Sequence, residues 1–515
     1  MKNLFMNKWM LSAAVVAASF TASNAQLSLG TSCGCPPLAS RTSVDLSTLA
    51  QANGNLTSTN TTLTCNNTYN LNLKLYVQSG AKLNIQAGTV IRGVFGEGVN
   101  SNALIVSRGG QIFAMGGEDC PIIFTDANDP LDGSYSVNIR GQWGGVIVLG
   151  RATNNLLQAN GGLAVGDGVG TIEGLLVGDP RNTYGETVAS GLRNDNDNSG
   201  IMRYVSIRHG GTNIGANNEI NGLTLGSVGR GTSFEYIEVI ANDDDGIEFF
   251  GGTVDMKYAT VFAVNDDYFD FDHGYTGRGQ FWFGVQLQGA APQGDEGFEA
   301  DGDDSNSGNQ PFTSPNIYNT TLIGRGANRG VEAREGFQGR IANSIFTNFT
   351  VGIELTDEAG RVDAFDNYNA GTLIITNNIF AGVTSILTVN AAAPAPATAA
   401  TFAADGNTVQ NNVIDFNYTI NIANNVITNA YNPVPAVGSV NTTSLPPVDD
   451  FFCGANYKGA FQPGKAPWTS GWTLAAVLGV DNSLANCPED INSDGQINVN
   501  DFLELNNAFN TSCGL

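Results

Sequence analysis

Histidine is almost missing: the 515-residue chain has 2 histidines, His209 and His273, too few for a histidine-based metal centre. Each reads more readily as a turn or packing residue. Basic side chains are scarce as well, 23 Lys+Arg against 48 Asp+Glu, for a formal net charge of −25. That balance argues against nucleic acid or an anionic membrane as partner. It suits cation binding, and equally plain solubility in a salty exterior. The glycine-rich piece 324–330 lacks the strand–loop–helix setting of a phosphate cradle. Helix-period apolar stretches of useful length are lacking. The longest apolar run, Met10–Phe20, is too short to span a membrane.

That run follows Lys2 and Lys8 and precedes Ser23-Asn24-Ala25, the pattern of a secretory signal peptide over residues 1–25. The protein is therefore expected outside the cell or at its surface, without a transmembrane segment. Cleavage removes two lysines and takes the net charge from −25 to −27. Seven cysteines in an exported chain imply disulfides with one thiol left over. Their pairing is not legible, although Cys487 and Cys513 bracket the last segment. Cys33-Gly34-Cys35 lacks the two-residue spacer and partner pair of a zinc site.

What the chain does contain is one repeated phrase. It reads Asp244-Asp245-Gly246-Ile247-Glu248-Phe249, then Asp266-Asp267-Tyr268-Phe269-Asp270-Phe271, then Asp295-Glu296-Gly297-Phe298-Glu299-Ala300. The frame persists around Glu332 and Glu354, with the first two acids lost. Two polar residues, a turn residue and an apolar–acid–apolar triplet describe a turn feeding a short strand. Such units bury their apolar side by stacking on one another. Stacking in register sets equivalent residues about 4.8 Å apart. Three acidic columns follow: Asp244/Asp266/Asp295, Asp245/Asp267/Glu296, and Glu248/Asp270/Glu299 continued by Glu332 and Glu354. Two carboxylates at that spacing repel by roughly 3 kcal/mol at an effective dielectric near 20. The columns therefore call for a cation, a basic neighbour, protonation or open solvent.

Around this seam the chain divides into a polar leader or cap over 26–70, a strand-dense body over 71–430, a proline-bearing linker and aromatic cap over 431–485, and a last segment over 486–515. Residues 151–200, rich in Gly, Asn and Asp, read as an excursion from the stack, and 391–404 as a flexible insertion. Two further columns are expected: Tyr204/Tyr236/Tyr258 and, separately, Asn343/Asn377/Asn411/Asn424.

Ser79-Gly80-Ala81-Lys82-Leu83-Asn84-Ile85-Gln86-Ala87-Gly88-Thr89, with Cys120-Pro121-Ile122-Ile123-Phe124 and Gln142-Trp143-Gly144-Gly145, resembles the opening of secreted bacterial right-handed parallel β-helix proteins. With 244–252 and 266–283 added, the chain is similar to a family of exported or surface-attached proteins of that fold. The resemblance implies an all-β solenoid and secretion, and brings no activity.

In the last segment, Asp490-Ile491-Asn492-Ser493-Asp494-Gly495-Gln496-Ile497-Asn498-Val499-Asn500-Asp501 has the spacing of an EF-hand calcium loop. Oxygen ligands are needed at positions 1, 3, 5, 7, 9 and 12, with glycine at 6. Asp490, Asn492, Asp494, the Gln496 carbonyl, Asn498 and Asp501 supply them for Ca²⁺, and a short α-helix is expected after Asp501. Aspartate at position 12 resembles the dockerin-type repeat, which occurs in pairs, whereas this chain has one copy.

Three functions stay open. The first is a calcium-binding secreted or surface protein acting by binding or display, toward a polysaccharide or another surface protein. Its second cation site would draw on Asp244, Asp245, Glu248, Asp295, Glu296 and Glu299. The second is a polysaccharide lyase or glycoside hydrolase on the acidic seam, with Asp266, Asp267, Asp270, His273 and Arg278 as candidates. Hydrolases use paired carboxylates, and lyases use bound calcium with a basic side chain. The third is a dockerin-like tether to a scaffold.

Overall fold

The computed structural model describes residues 29–479, apart from 157–167, 216–217, 288–293, 304–306, 359, 392–398, 411–413, 415–419, 422–425 and 428–431. The signal-peptide stretch, the Asp490–Asp501 loop and the Cys487/Cys513 pair lie outside the described residues. So do Asn411, Asn412, Asn424 and Asn425.

Within them, 26 strands form one sheet wound into a prism with three parallel faces, a parallel β-helix. One face runs from Lys74–Val77 through Ala103–Val106, Val146–Leu149, Leu223–Gly226, Ile247–Phe250 and Phe269–Asp272 to Ser385–Ala391. A second runs from Asn60–Leu63 to Leu373–Thr376 and a third from Thr42–Asp45 to Thr408–Gln410. Long strands such as Gly200–Arg208 turn the corner between the second and third faces. Period-2 alternation explains the winding: Ile247 and Phe249 point into the buried core, Glu248 and Phe250 away from it. Among the described residues no helix is long and apolar enough to cross a membrane.

The stack begins before Leu71. Thr42–Asp45, Asn60–Leu63 and Asn67–Leu71 are already rungs of the sheet, so the polar segment taken for a leader is part of the solenoid. Its strands carry Thr and Asn on their outward positions, which hid the alternation. Two disulfides, Cys33–Cys120 and Cys35–Cys65, staple the first residues to these coils and leave Cys453 free. At the other end the last rung of the sheet among the described residues is Thr408–Gln410.

The tyrosine and asparagine columns are one column. Tyr204, Tyr236, Tyr258, Phe281, Asn319, Asn343 and Asn377 each take the single left-handed position between the second and third faces, with φ from 51° to 60°. Asparagine tolerates that conformation because its amide bonds nearby backbone. Tyrosine and phenylalanine do not, and strain of about 1–3 kcal/mol per residue has to be offset. Ring stacking supplies the offset, with centroids 4.3, 4.4 and 5.1 Å apart along Tyr204, Tyr236, Tyr258 and Phe281. Tyr236→Asn keeps the corner conformation and removes two stacks. It is expected to cost about 1–3 kcal/mol, read from the midpoint of chemical unfolding.

The aromatic C-terminal segment is no end cap. It runs back along this corner toward the N-terminal coils. Asn343 Nδ2 donates to the Ser444 carbonyl at 2.6 Å and Asn319 Nδ2 to the Tyr457 carbonyl at 2.7 Å. Gln280 and Cys453 exchange two hydrogen bonds, and Phe461 packs edge-on against Phe283. Trp468 and Trp472 meet the edges of the tyrosine stack. Near the end of the described residues, Leu474 and Ala475 donate their N–H groups to Glu238 at 3.0 and 2.9 Å. The corner left the stacked rings half-exposed, and the strap covers them.

Candidate functional site

The acidic seam forms as the register requires. On the first face the outward column reads Tyr76, Ile105, Ile147, Thr224, Glu248, Asp270, Glu299, Glu332, Glu354, Thr388. Its apolar end is roofed by Ile172, Leu175 and Tyr184 of the excursion. That roof includes the antiparallel pair Gly170–Thr171 and Thr183–Tyr184. Its acidic end faces outward beyond the roof. The turn before each acidic strand is tight. A Cβ on Gly246 would sit 2.4 Å from Val261 and 2.7 Å from the Tyr268 carbonyl, which explains glycine there.

The three columns have different fates. In the Asp245/Asp267/Glu296 column the two aspartates each serve the next rung. Asp245 Oδ1 accepts the Asp267 N–H at 2.9 Å, and Asp267 Oδ1 accepts that of Glu296. In the long column the C-terminal half is neutralised by arginine. Arg329 pairs with Glu296, with Glu332 at 3.0 Å and with Glu354 at 3.1 Å. Arg334 pairs with Glu299 and Asp301. Burial opposes the charge on Arg329, but the three glutamates outweigh it and raise its pKa.

The N-terminal half has no such partner. One oxygen from each of Asp245, Glu248 and Asp270 lies within 4.8 Å of the others, and the same holds for Asp244, Asp245 and Asp266. Among the described residues no Lys or Arg forms an ion pair with any of these five. Asp245 and Glu248 are 7% and 5% exposed. Burial, and then the neighbouring carboxylates, hold the Asp245, Glu248 and Asp270 carboxyls well above the ordinary range. The same causes push Asp244 up to about 7, with Asp266, Glu173 and Glu219 among its neighbours. Oxygen-only ligands at this spacing suit a hard divalent cation such as Ca²⁺.

Of the residues expected to share a cation, Asp244 and Glu248 each lie beside Asp245, in different triads. Asp295 is instead bonded by Asn328, and Glu296 and Glu299 are held by arginine. The catalytic candidates separate as well. Asp266, Asp267 and Asp270 are neighbours in the seam. His273 occupies a left-handed corner (φ 51°) at the end of the same face, with Nδ1 3.0 Å from the Tyr184 hydroxyl and Nε2 3.3 Å from Asp272. Arg278 begins a strand of the second face. There it is held by Asp255 at 2.6 Å and by Asp449 and Asp450 of the strap at 3.0 and 2.8 Å. His209 is a buried corner residue bonded to the Ile139 carbonyl at 2.7 Å.

Four contributors were not legible: Asn221, Thr224, Glu173 and Glu219. Asn221 donates to Glu248, and Thr224 is its rung neighbour. Glu173, from the excursion, and Glu219, from a loop, add negative charge near Asp244 and push its carboxyl up. None belongs to the repeated phrase; the one available signal was Thr224 standing at the acid position of Leu223–Gly226.

Comparison with known families gives one finding. The profile of the pectate-lyase-like β-helix domain matches residues 54–421. No curated protein and no solved structure matches the chain.

Proposed function

The chain belongs to the pectate-lyase-like β-helix domain family, and on that premise we propose a calcium-binding β-helix that holds polysaccharide along its acidic face without cleaving it. The observation that carries this reading is the cluster of Asp245, Glu248 and Asp270 oxygens within 4.8 Å, without a basic partner. A bound divalent cation offsets their repulsion and presents open coordination positions to sugar hydroxyl and carboxylate oxygens. The family description favours a polysaccharide as the partner over another surface protein. Export follows from the charged-then-apolar N-terminus, and the loop from Asp490 to Asp501 is a second calcium site in this reading.

Catalysis is the second reading, favoured by the raised carboxyls. Against it stands the state of the bases. Arg278, Arg329 and Arg334 are each locked into two or more carboxylates, and the pKa of each is raised, the wrong direction for a proton acceptor. The test joins calcium titration calorimetry to a panel of acidic and neutral polysaccharides assayed for binding, unsaturated products and reducing ends. Calcium-dependent binding without new ends is expected. Turnover abolished in Asp270→Asn replaces the binding reading with the enzymatic one. Calcium-dependent capture of a partner protein through residues 486–515 would instead support the tether.

A further inference from the structure

The two carboxylate triads share a member, and their composition bears on how many ions the seam takes. Asp244, Asp245 and Asp266 form the outer triad, with Asp266 exposed; Asp245, Glu248 and Asp270 form the inner one. Together they carry five carboxylates. One dication leaves three negative charges uncompensated at close range, and two leave one. Glu173 and Glu219 add to the imbalance, since both face Asp244.

The inner triad is also flanked by polar atoms that have no protein partner. Thr224 is 1% exposed and stands one rung above Glu248 on the same outward column, and its hydroxyl makes no hydrogen bond. Asn221 is 3% exposed and donates its amide N–H to Glu248, while its Oδ1 is unpaired. Asp270 Oδ1 is likewise buried and unpaired. Orphaned buried oxygens cost about 1–3 kcal/mol each, and each is a competent ligand for a hard cation or for a water bound to one.

We propose that the seam is a two-cation centre bridged by Asp245, with an inner divalent ion on Glu248 and Asp270 and an outer one on Asp244 and Asp266. Asp245 is the only acid common to both triads. One of its oxygens already accepts the Asp267 N–H, which fixes the orientation of the carboxylate. A bridging carboxylate holds two ions about 3.5–4 Å apart. The inner ion is closed off by Asn221 and Thr224; the outer one is open to solvent and to a ligand. The inference rests on the reading of the seam as a cation site and adds to it a stoichiometry and a division of roles.

The test is calcium titration of the full-length protein and three variants. Glu248→Gln and Asp266→Asn are each expected to bind one ion fewer than the parent, and Asp245→Asn two fewer. Differences against the parent cancel any ion held near the C-terminus. A loss of one ion in all three variants means a single site and overturns the inference while leaving the cation reading intact. No loss in any variant overturns both. Manganese supplies a readout on the unmutated chain: the pair is expected to give an exchange-coupled electron paramagnetic resonance signal. A spectrum of isolated ions only, at saturating manganese, overturns the bridge.

Discussion

Glu238→Ala is expected to destabilise the protein by about 3–5 kcal/mol, the cost of leaving one member of a buried ion pair uncompensated. Glu238 is 0% exposed and Arg208 1%. The carboxylate sits 3.9 Å from the guanidinium, accepts a hydrogen bond from Ser206, and receives the N–H groups of Leu474 and Ala475. Arg208 Nε in turn donates to Ser206 at 2.7 Å. One side chain therefore links a rung of the third face to the end of the strap. Removing it strands a buried guanidinium whose charge burial already disfavours, and frees two N–H groups. Beyond the stability loss, amide exchange across 449–478 is expected to accelerate, because the strap's ion pairs at its other end, Arg278 on Asp449 and Asp450, are more exposed and weaker. An unfolding midpoint unchanged within error would mean that the strap contributes little to the fold. Glu238→Gln is the milder companion: it keeps one acceptor oxygen for the strap and loses the charge.

The contrast between seam and strap shows what a single sequence carries. The acidic ladder was legible because stacking is a local rule applied repeatedly: apolar–acid–apolar recurs, and register converts recurrence into proximity. Its partners were not, because Arg329 and Arg334 sit outside the triplet and their reach depends on side-chain direction. The corner column looks like two in the sequence because tyrosine and asparagine look unrelated. They share a backbone conformation, which residue identity alone does not reveal. Asn319 does not stand out in the sequence because Thr320-Thr321 follows it in place of the polar–isoleucine step seen after Asn343 and Asn377. The next asparagine rung after Asn378 is Asn407, outside the frame that recurs in the sequence: Thr408 pairs with Ile379, and Asn378 Nδ2 donates to Asn407 Oδ1 at 3.1 Å. The strap looks like a cap in the sequence because its contacts join residues such as Glu238 and Leu474, distant in sequence and without a repeat to betray them.

Stability in the absence of divalent cations is expected to fall as pH rises, opposite to the usual behaviour of a protein rich in ionised carboxylates. Asp244 is pushed up to about 7 by burial and by Asp266, Glu173, Glu219 and Asp243. Asp266, exposed at the rim but partly desolvated by its neighbours, is shifted in the same direction by that desolvation and by Asp295. In the unfolded chain these acids titrate near 4. Between that value and the folded one the native state binds more protons, so each unit of rising pH subtracts stability. For Asp244 alone the loss between pH 4 and pH 7 is on the order of 4 kcal/mol, with further losses from its neighbours. Calcium replaces the protons, so saturating calcium is expected to flatten the dependence and raise the melting temperature most at pH 8. Asp244→Asn, which removes the charge and keeps the shape, is expected to flatten the chelator curve and to stabilise the metal-free protein at pH 8. Melting curves from pH 4 to 8, with chelator and with calcium, check both statements. A chelator curve that rises with pH would mean that these carboxyls ionise freely, and the repulsion that makes the seam a cation site would be absent.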